Sequence, residues 1–186
     1  MEQIINEMMK QKIGDVKVLP SLSNYTTYKV GGNARLIVYP KNVDSLIELM
    51  KIINENDIKF IVLGNGSNVL FSDDLYDGII IKLDKFDNIE FDGNIVHVGD
   101  GYSLIKLSME CAKRGLTGLE FASGIPGTVG GAIFMNAGAY ECEMKKFVQD
   151  VTILTDDLEV KTFSKKDMKF KYRESMLQHN RSYYER

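Results

Sequence analysis

The sequence predicts an α+β protein built from two subdomains, and three observations carry that prediction. In the first half a strand, a helix and a strand follow in order, the pattern of a small βαβ unit with a parallel sheet. After residue 84 the pattern changes to short strands flanking turn dipeptides, which reads as antiparallel with one or two helices. No Pro/Gly/Ser-rich linker separates the halves, so residues 1–84 and 85–186 are expected to pack closely. A chain of 186 residues is long enough for one compact domain or two small ones.

Taken in order, Ile4, Ile5 and Met8 fall at helical spacing within residues 1–12, and Gly14 is a plausible stop. The first strand is expected over 34–39. Asn42 then caps a helix with Val43, Leu46, Ile47, Met50 and Ile53 on one face. Short apolar strands are expected at 59–63 and 79–83. Segments 88–91 and 94–98 flank Asp92-Gly93, the dipeptide suited to a type I′ hairpin. Ser103 opens a helix with Leu104, Leu107, Ser108 and Cys111 on one side, closed by Gly115. Segments 148–154 and 159–163 flank Asp156-Asp157, a second expected hairpin.

Composition excludes several classes of function. Lys and Arg total 23 against 26 Asp and Glu, a net charge of −3, which argues against a dedicated nucleic-acid binder. Apolar runs fall far below the roughly 18 residues of a membrane span. The N-terminus lacks a basic head followed by an apolar core, so a cytoplasmic chain is expected. Cys111 and Cys142 make no disulfide framework, and with only His97 and His179 neither a metal site nor a catalytic histidine pair is expected. Cys111 is read as core and His97, between Val96 and Val98, as solvent-facing.

Two glycine-rich stretches depart from this core-building pattern. Gly64-Asn65-Gly66-Ser67-Asn68 directly follows a strand, where main-chain N–H groups, the Ser67 hydroxyl and the Asn68 amide can hold an anionic oxygen. An ordinary surface turn is the plainer reading. A third glycine is missing for a Rossmann fingerprint, and no Gly-Lys-Ser/Thr follows as a Walker loop requires. The second stretch, residues 122–132 continuing to 136–140, holds five glycines within fifteen residues. Pro126 suits the first position of a short helix, whose N–H groups at Gly127, Thr128 and Val129 are then expected to point outward as a phosphate cradle. The plainer reading is tight packing in which the glycines let backbones touch. Two such loops in one short chain favour a ligand with a diphosphate.

The motifs then become specific. Asn24-Tyr25-Thr26-Thr27-Tyr28-Lys29-Val30-Gly31-Gly32, the Gly64–Asn68 loop, Gly124-Ile125-Pro126-Gly127-Thr128-Val129-Gly130-Gly131-Ala132, Met135-Asn136-Ala137-Gly138-Ala139-Tyr140 and Phe170-Lys171-Tyr172-Arg173-Glu174-Ser175 occur in this order. From about residue 20 onward the chain resembles the UDP-N-acetylenolpyruvoylglucosamine reductase family. The resemblance implies a two-subdomain FAD-binding fold of the vanillyl-alcohol-oxidase/PCMH type, with FAD bound non-covalently between the subdomains.

What the resemblance implies for the site follows position by position. Gly64, Asn65, Gly66, Ser67 and Asn68, with Ile125, Pro126, Gly127, Thr128, Val129, Gly130 and Gly131, would surround the FAD diphosphate. Asn136, Gly138 and Ala139 would lie along the flavin. NADPH would deliver hydride to the flavin, which reduces the enolpyruvyl double bond of the UDP-sugar to give UDP-N-acetylmuramate, a peptidoglycan precursor. Arg173 would be the catalytic and substrate-binding arginine that contacts the substrate carboxylate, a role suited to a permanently charged bidentate group. Tyr140 would line the substrate side, with a packing role for its ring as the alternative. No metal is implied.

The sequence departs from the family at two places. Glu141-Cys142 follows Gly-Ala-Tyr where another glycine is common. The family also has a third, substrate-binding domain that supplies a serine from a Gly-Ser-x-Phe-like segment and a glutamate. No Gly-Ser-x-Phe occurs here, and the chain closes on Ser182-Tyr183-Tyr184-Glu185-Arg186 where a further strand is expected. The chain is therefore expected to be the FAD-binding part of such a reductase, not catalytically complete alone. The alternative is a stand-alone, non-catalytic flavin- or nucleotide-binding module.

Overall fold

The structure, a computed structural model, describes residues 2–179. The further strand expected at 182–186 lies outside the described residues. The chain divides into two compact units between Phe86 and Asp87.

The first unit comprises α1 (Glu2–Lys10), β1 (Gly14–Val18), β2 (Ala34–Pro40), α2 (Val43–Glu55), β3 (Phe60–Val62) and β4 (Tyr76–Ile81). Its sheet has the order β1-β2-β4-β3. The pairs β2·β4 and β3·β4 are parallel, and β1 lies antiparallel on the β2 edge. Strands β2 and β4 are buried on both faces, which is why they read as continuous apolar runs. Leu36, Val38, Ile79 and Ile81 face a layer containing Met8, Leu49, Ile52 and Ile53. Ile37, Tyr39 and Ile80 face the opposite way, toward Leu22 and Leu63. Each fully buried Leu or Ile contributes about 1.5–3 kcal/mol relative to exposure.

Helix α2 starts where expected. Asn42 Oδ1 accepts from the Ser45 N–H at 3.0 Å, and Ser45 Oγ accepts from the Asn42 N–H at 2.9 Å, a complete capping box. Strand β1 was not expected, because Gly14 reads as a helix stop. It is an edge strand whose exposed Asp15 and Lys17 break the apolar signal.

The second unit comprises β5 (Ile89–Asp92), β6 (Ile95–Val98), α3 (Leu104–Lys113), α4 (Val129–Phe134), β7 (Gly138–Ala139), β8 (Cys142–Glu143), β9 (Asp150–Leu154) and β10 (Val160–Ser164). The pairs β5·β6, β7·β8 and β9·β10 are antiparallel. The β5–β6 turn falls on Gly93-Asn94, one residue later than expected, since Asp92 pairs with Ile95. Only Gly93 takes positive φ, at 57°, so the turn lacks the two left-handed residues of type I′. Helix α3 buries Leu104, Leu107, Ser108 and Cys111 as the spacing predicts, and the Ser108 hydroxyl donates to Leu119 O at 2.7 Å. Phe121 and Phe147 stack with ring centroids 6.0 Å apart.

Candidate functional site

Strand β3 ends at Val62, and the Leu63 N–H still bonds Ile81 O at 2.9 Å, so the chain leaves the sheet at Gly64. Two clamps hold the carbonyls of the loop that follows. Lys82 Nζ donates to Gly64 O at 2.6 Å and to Leu63 O at 3.4 Å. Thr27 donates to Gly66 O from both its N–H and its Oγ1, each at 3.1 Å. A trans peptide sets its C=O opposite the next N–H, and the described chain has no cis peptide bond. The clamped carbonyls therefore turn the N–H groups of Gly64, Asn65 and Ser67 away from Lys82 and Thr27. No main-chain N–H of residues 64–68 donates to another described residue, and the side chains of Asn65, Ser67 and Asn68 have no described partner. Amide donors left without a protein acceptor in a concave turn are what an anionic oxygen binds.

Gly66 is fixed for a second reason. Its φ is +64°, and a Cβ there would lie 2.1 Å from Tyr25 O. Its small size thus serves close backbone packing, as the plainer reading of the loop supposes.

Beside the loop lies a cleft of about 300 Å³ whose lining includes Thr26, Thr27, Lys29, Tyr39, Asn65 and Lys82. Lys82 follows β4, and its N–H continues the sheet ladder to Val38 O at 2.9 Å. Its side chain is only 8% exposed, with Asp84 Oδ1 3.2 Å away. The carboxylate and the two loop carbonyls offset the desolvation of the ammonium group. Lys17 Nζ donates to the Tyr25 hydroxyl at 2.9 Å and sits 5.4 Å from the Tyr39 ring centroid. Burial alone would raise the Tyr25 pKa, but the hydrogen bond and charge of Lys17 outweigh it and lower the value. Burial, reinforced by Tyr25, raises that of Tyr39.

The second glycine segment is built differently from the expectation. Pro126 is not a helical residue: α4 begins at Val129, and Thr128 caps it, its Oγ1 accepting from the Gly131 N–H at 3.2 Å. The Val129 N–H is bound to Tyr102 O at 2.9 Å and that of Gly130 to Asp100 O at 3.0 Å. Of the expected outward donors, the N–H groups of Gly127 and Thr128 alone have no described acceptor. A Cβ on Gly130 would fall 1.2 Å from Asp100 Oδ1, so this glycine admits a neighbouring side chain. Gly124 has open space around it, while Ile125 is half-buried and Gly131 exposed.

Asn136, at φ +40°, is 0% exposed. Its Nδ2 donates to Glu143 Oε2 at 3.2 Å and to Lys171 O at 2.7 Å, and its Oδ1 accepts from the Lys145 N–H at 3.0 Å. Both amide donors are thus committed, and the side chain ties the end of α4 to the turn bearing Arg173. In that turn Lys171 and Glu174 exchange main-chain hydrogen bonds at 3.0 and 3.2 Å. Arg173 stands at its corner with φ +55°, exposed to solvent. The Ser175 hydroxyl donates to Phe134 O at 2.7 Å, and Gln178 Nε2 donates to Phe134 O at 2.9 Å and to Arg173 O at 3.1 Å. The Glu143 carboxyl is held low, chiefly by Lys145 and in part by the Arg173 charge. Tyr140 and Glu141, at φ 51° and 59°, form the tip of the β7–β8 hairpin, and the Tyr140 ring is 91% exposed. Gly138 is buried and Ala139 half-buried in that hairpin.

The structure therefore joins Asn136, the β7–β8 hairpin of Gly138 and Ala139, and the turn of Arg173 at the end of α4, with Tyr140 at the exposed hairpin tip. Sequence reasoning assigned no role to Thr27, Lys82 or Asp84. One signal was available for Lys82, a lysine closing the run Ile79-Ile80-Ile81. Cys111 is buried, with its thiol pKa raised by that burial, and His97 is exposed. Among the described residues no cluster of His, Cys, Asp or Glu could hold a metal ion, and no helix is long and apolar enough to cross a membrane.

The UDP-N-acetylenolpyruvoylglucosamine reductase of Bacillus subtilis is 42% identical over 182 residues, 97% of this chain and 60% of that protein. The chain thus spans about three-fifths of that relative's length. The structure of the reductase (MurB) from Thermus caldophilus superposes with a TM-score of 0.72 at 32% identity, over 87% of this chain and 56% of that one. 6-Hydroxy-D-nicotine oxidase from Arthrobacter nicotinovorans shares the fold, with a TM-score of 0.60 at 18% identity over 83% of this chain and 36% of that one. The fold is thus of the vanillyl-alcohol-oxidase/PCMH type, as the resemblance implies. With residues 34–164 matching the family described as FAD binding domain, well over half of its length, the chain belongs to that family.

Proposed function

We propose that this chain is the FAD-holding part of a flavoprotein reductase that uses NADPH to convert UDP-N-acetylglucosamine enolpyruvate into UDP-N-acetylmuramate, in the cytoplasm, for peptidoglycan synthesis. The observation that carries the reading is the 64–68 loop, where clamped carbonyls leave unpartnered N–H donors beside a buried lysine. Those residues fit a diphosphate: main-chain donors match its oxygens, and the Lys82 ammonium offsets part of its charge. The similarity to the Bacillus subtilis and Thermus caldophilus reductases supports the choice of substrate.

On this reading Gly64, Asn65, Gly66, Ser67 and Asn68 hold the diphosphate. In the second unit the N–H groups of Gly127 and Thr128, within the segment Ile125, Pro126, Val129, Gly130 and Gly131, are the donors left for an anionic oxygen. Gly138 and Ala139 lie along the flavin through their main chain, and Asn136 acts through the joint it makes. FAD, when bound, supplies a two-electron relay that a protein side chain does not offer. Arg173 holds the substrate carboxylate bidentately and stabilises the negative charge that develops beside it. Tyr140, its ring exposed at the β7–β8 tip, is assigned to the substrate side. The test is the visible spectrum of the purified chain after incubation with FAD and gel filtration. A flavin band that is released on denaturation and identified as FAD by chromatography is the expected result. Colourless protein that takes up no FAD contradicts the proposal.

A further inference from the structure

We infer that Lys82 and Thr27 are positioning residues that set the affinity of the first glycine loop for a diphosphate, an inference that rests on the FAD reading above. Neither residue needs to touch the ligand to do so. The 64–68 loop has little internal structure of its own: none of its N–H groups is bonded within the described chain. Its conformation is fixed instead through carbonyls. Lys82 reaches from the end of β4 to Gly64 O at 2.6 Å and Leu63 O at 3.4 Å. Thr27, from the segment after Asn24, spends two donors on Gly66 O, each at 3.1 Å.

Because each carbonyl is coupled rigidly to the next N–H, these contacts aim the donors of Gly64, Asn65 and Ser67 before any ligand arrives. Without them each peptide unit is free to rotate, and the binding of an anion must then supply the ordering. Lys82 contributes a second effect through its charge. Its ammonium group is buried beside the loop and only partly neutralised, since the Asp84 side chain 3.2 Å away is 47% exposed to water. An arginine can replace both the donor and the charge, whereas a methionine replaces neither while filling similar space.

The experiment is a titration of the whole chain with FAD, followed by quenching of flavin fluorescence, for wild type, Lys82→Met, Lys82→Arg, Thr27→Val and Thr27→Ser. The ligand-free melting temperature is measured for each. Loss of a charged hydrogen bond predicts that Lys82→Met weakens FAD binding on the order of tenfold or more. Lys82→Arg and Thr27→Ser should recover most of the wild-type affinity, and Thr27→Val should weaken binding several-fold while the ligand-free protein melts close to wild type. That rescue pattern separates aiming of the loop from general loss of stability. Wild-type affinity in both Lys82→Met and Thr27→Val overturns the inference and leaves the FAD reading intact. If Lys82→Met fails to fold, the Thr27 pair decides the matter in the same way. A wild-type chain that takes up no FAD overturns the reading itself, and the inference with it.

Discussion

Asp100 rests its carboxylate against the Cα of Gly130 with no hydrogen-bonding partner among the described residues, and burial pushes its pKa up to about 6. An unfolded aspartate titrates near 3.9, so between about pH 4 and pH 6 the folded chain binds more protons than the unfolded one. This group's contribution to stability is complete below that window and is lost as pH rises through it. Asp100→Asn should therefore raise the unfolding free energy at pH 8 by an amount on the order of 1 kcal/mol, after allowance for partial exposure, and have little effect at pH 4. A second residue carries strain of a different kind. Glu141 holds φ +59° at the tip of the β7–β8 hairpin. Because a left-handed residue with a side chain costs roughly 1–2 kcal/mol, Glu141→Gly should stabilise the chain by about 1 kcal/mol, the remainder offset by the freer unfolded backbone. Chemical denaturation measures both effects.

At the scale of elements, legibility followed chemistry that announces itself locally. Asn42 and Ser103 satisfy helix N–H groups through their own side chains, so the starts of α2 and α3 were readable. Strand β1 was not, because an edge strand keeps one row of side chains in water and its Gly14 resembles a helix terminator. The start of α4 was misread for a related reason. Pro126 suits a first helical turn, yet Thr128 pairs across to Ser103 and takes the cap, leaving the proline outside. The Tyr140-Glu141 turn gave no Asn-Gly or Asp-Gly signal at all. Its left-handed residues are imposed by the pairing of Ala139 with Cys142. The glycines themselves were readable as unusual but not as to purpose. Gly66 and Gly130 make room for Tyr25 and Asp100, while Gly124 faces open space.

For the molecule as a whole, the family was legible because its motifs are continuous in sequence, whereas the parts that organise them are not. Lys82 lies 18 residues from the carbonyl it holds, and Thr27 lies 39 from Gly66. Asn136, expected along the flavin, gives one donor to Glu143 seven residues away and the other to the turn of Arg173, 35 residues away. That turn is fixed by main-chain bonds and by Asn136, Ser175 and Gln178, while the guanidinium only overlies the exposed Tyr172 ring at 5.6 Å and acts on Glu143 through its charge. Arg173→Ala should accordingly leave FAD uptake and the melting temperature near wild type. A colourless or unfolded variant would assign the arginine to the scaffold instead.

The central claim, that the backbone of the 64–68 loop grips a diphosphate, is tested most directly by amide proton–nitrogen spectra of the labelled chain during titration with FAD. The account predicts that the Gly64, Asn65 and Ser67 amide protons move downfield together, saturating with the same affinity as the flavin signal. FAD that binds while those three resonances stay in place would contradict it.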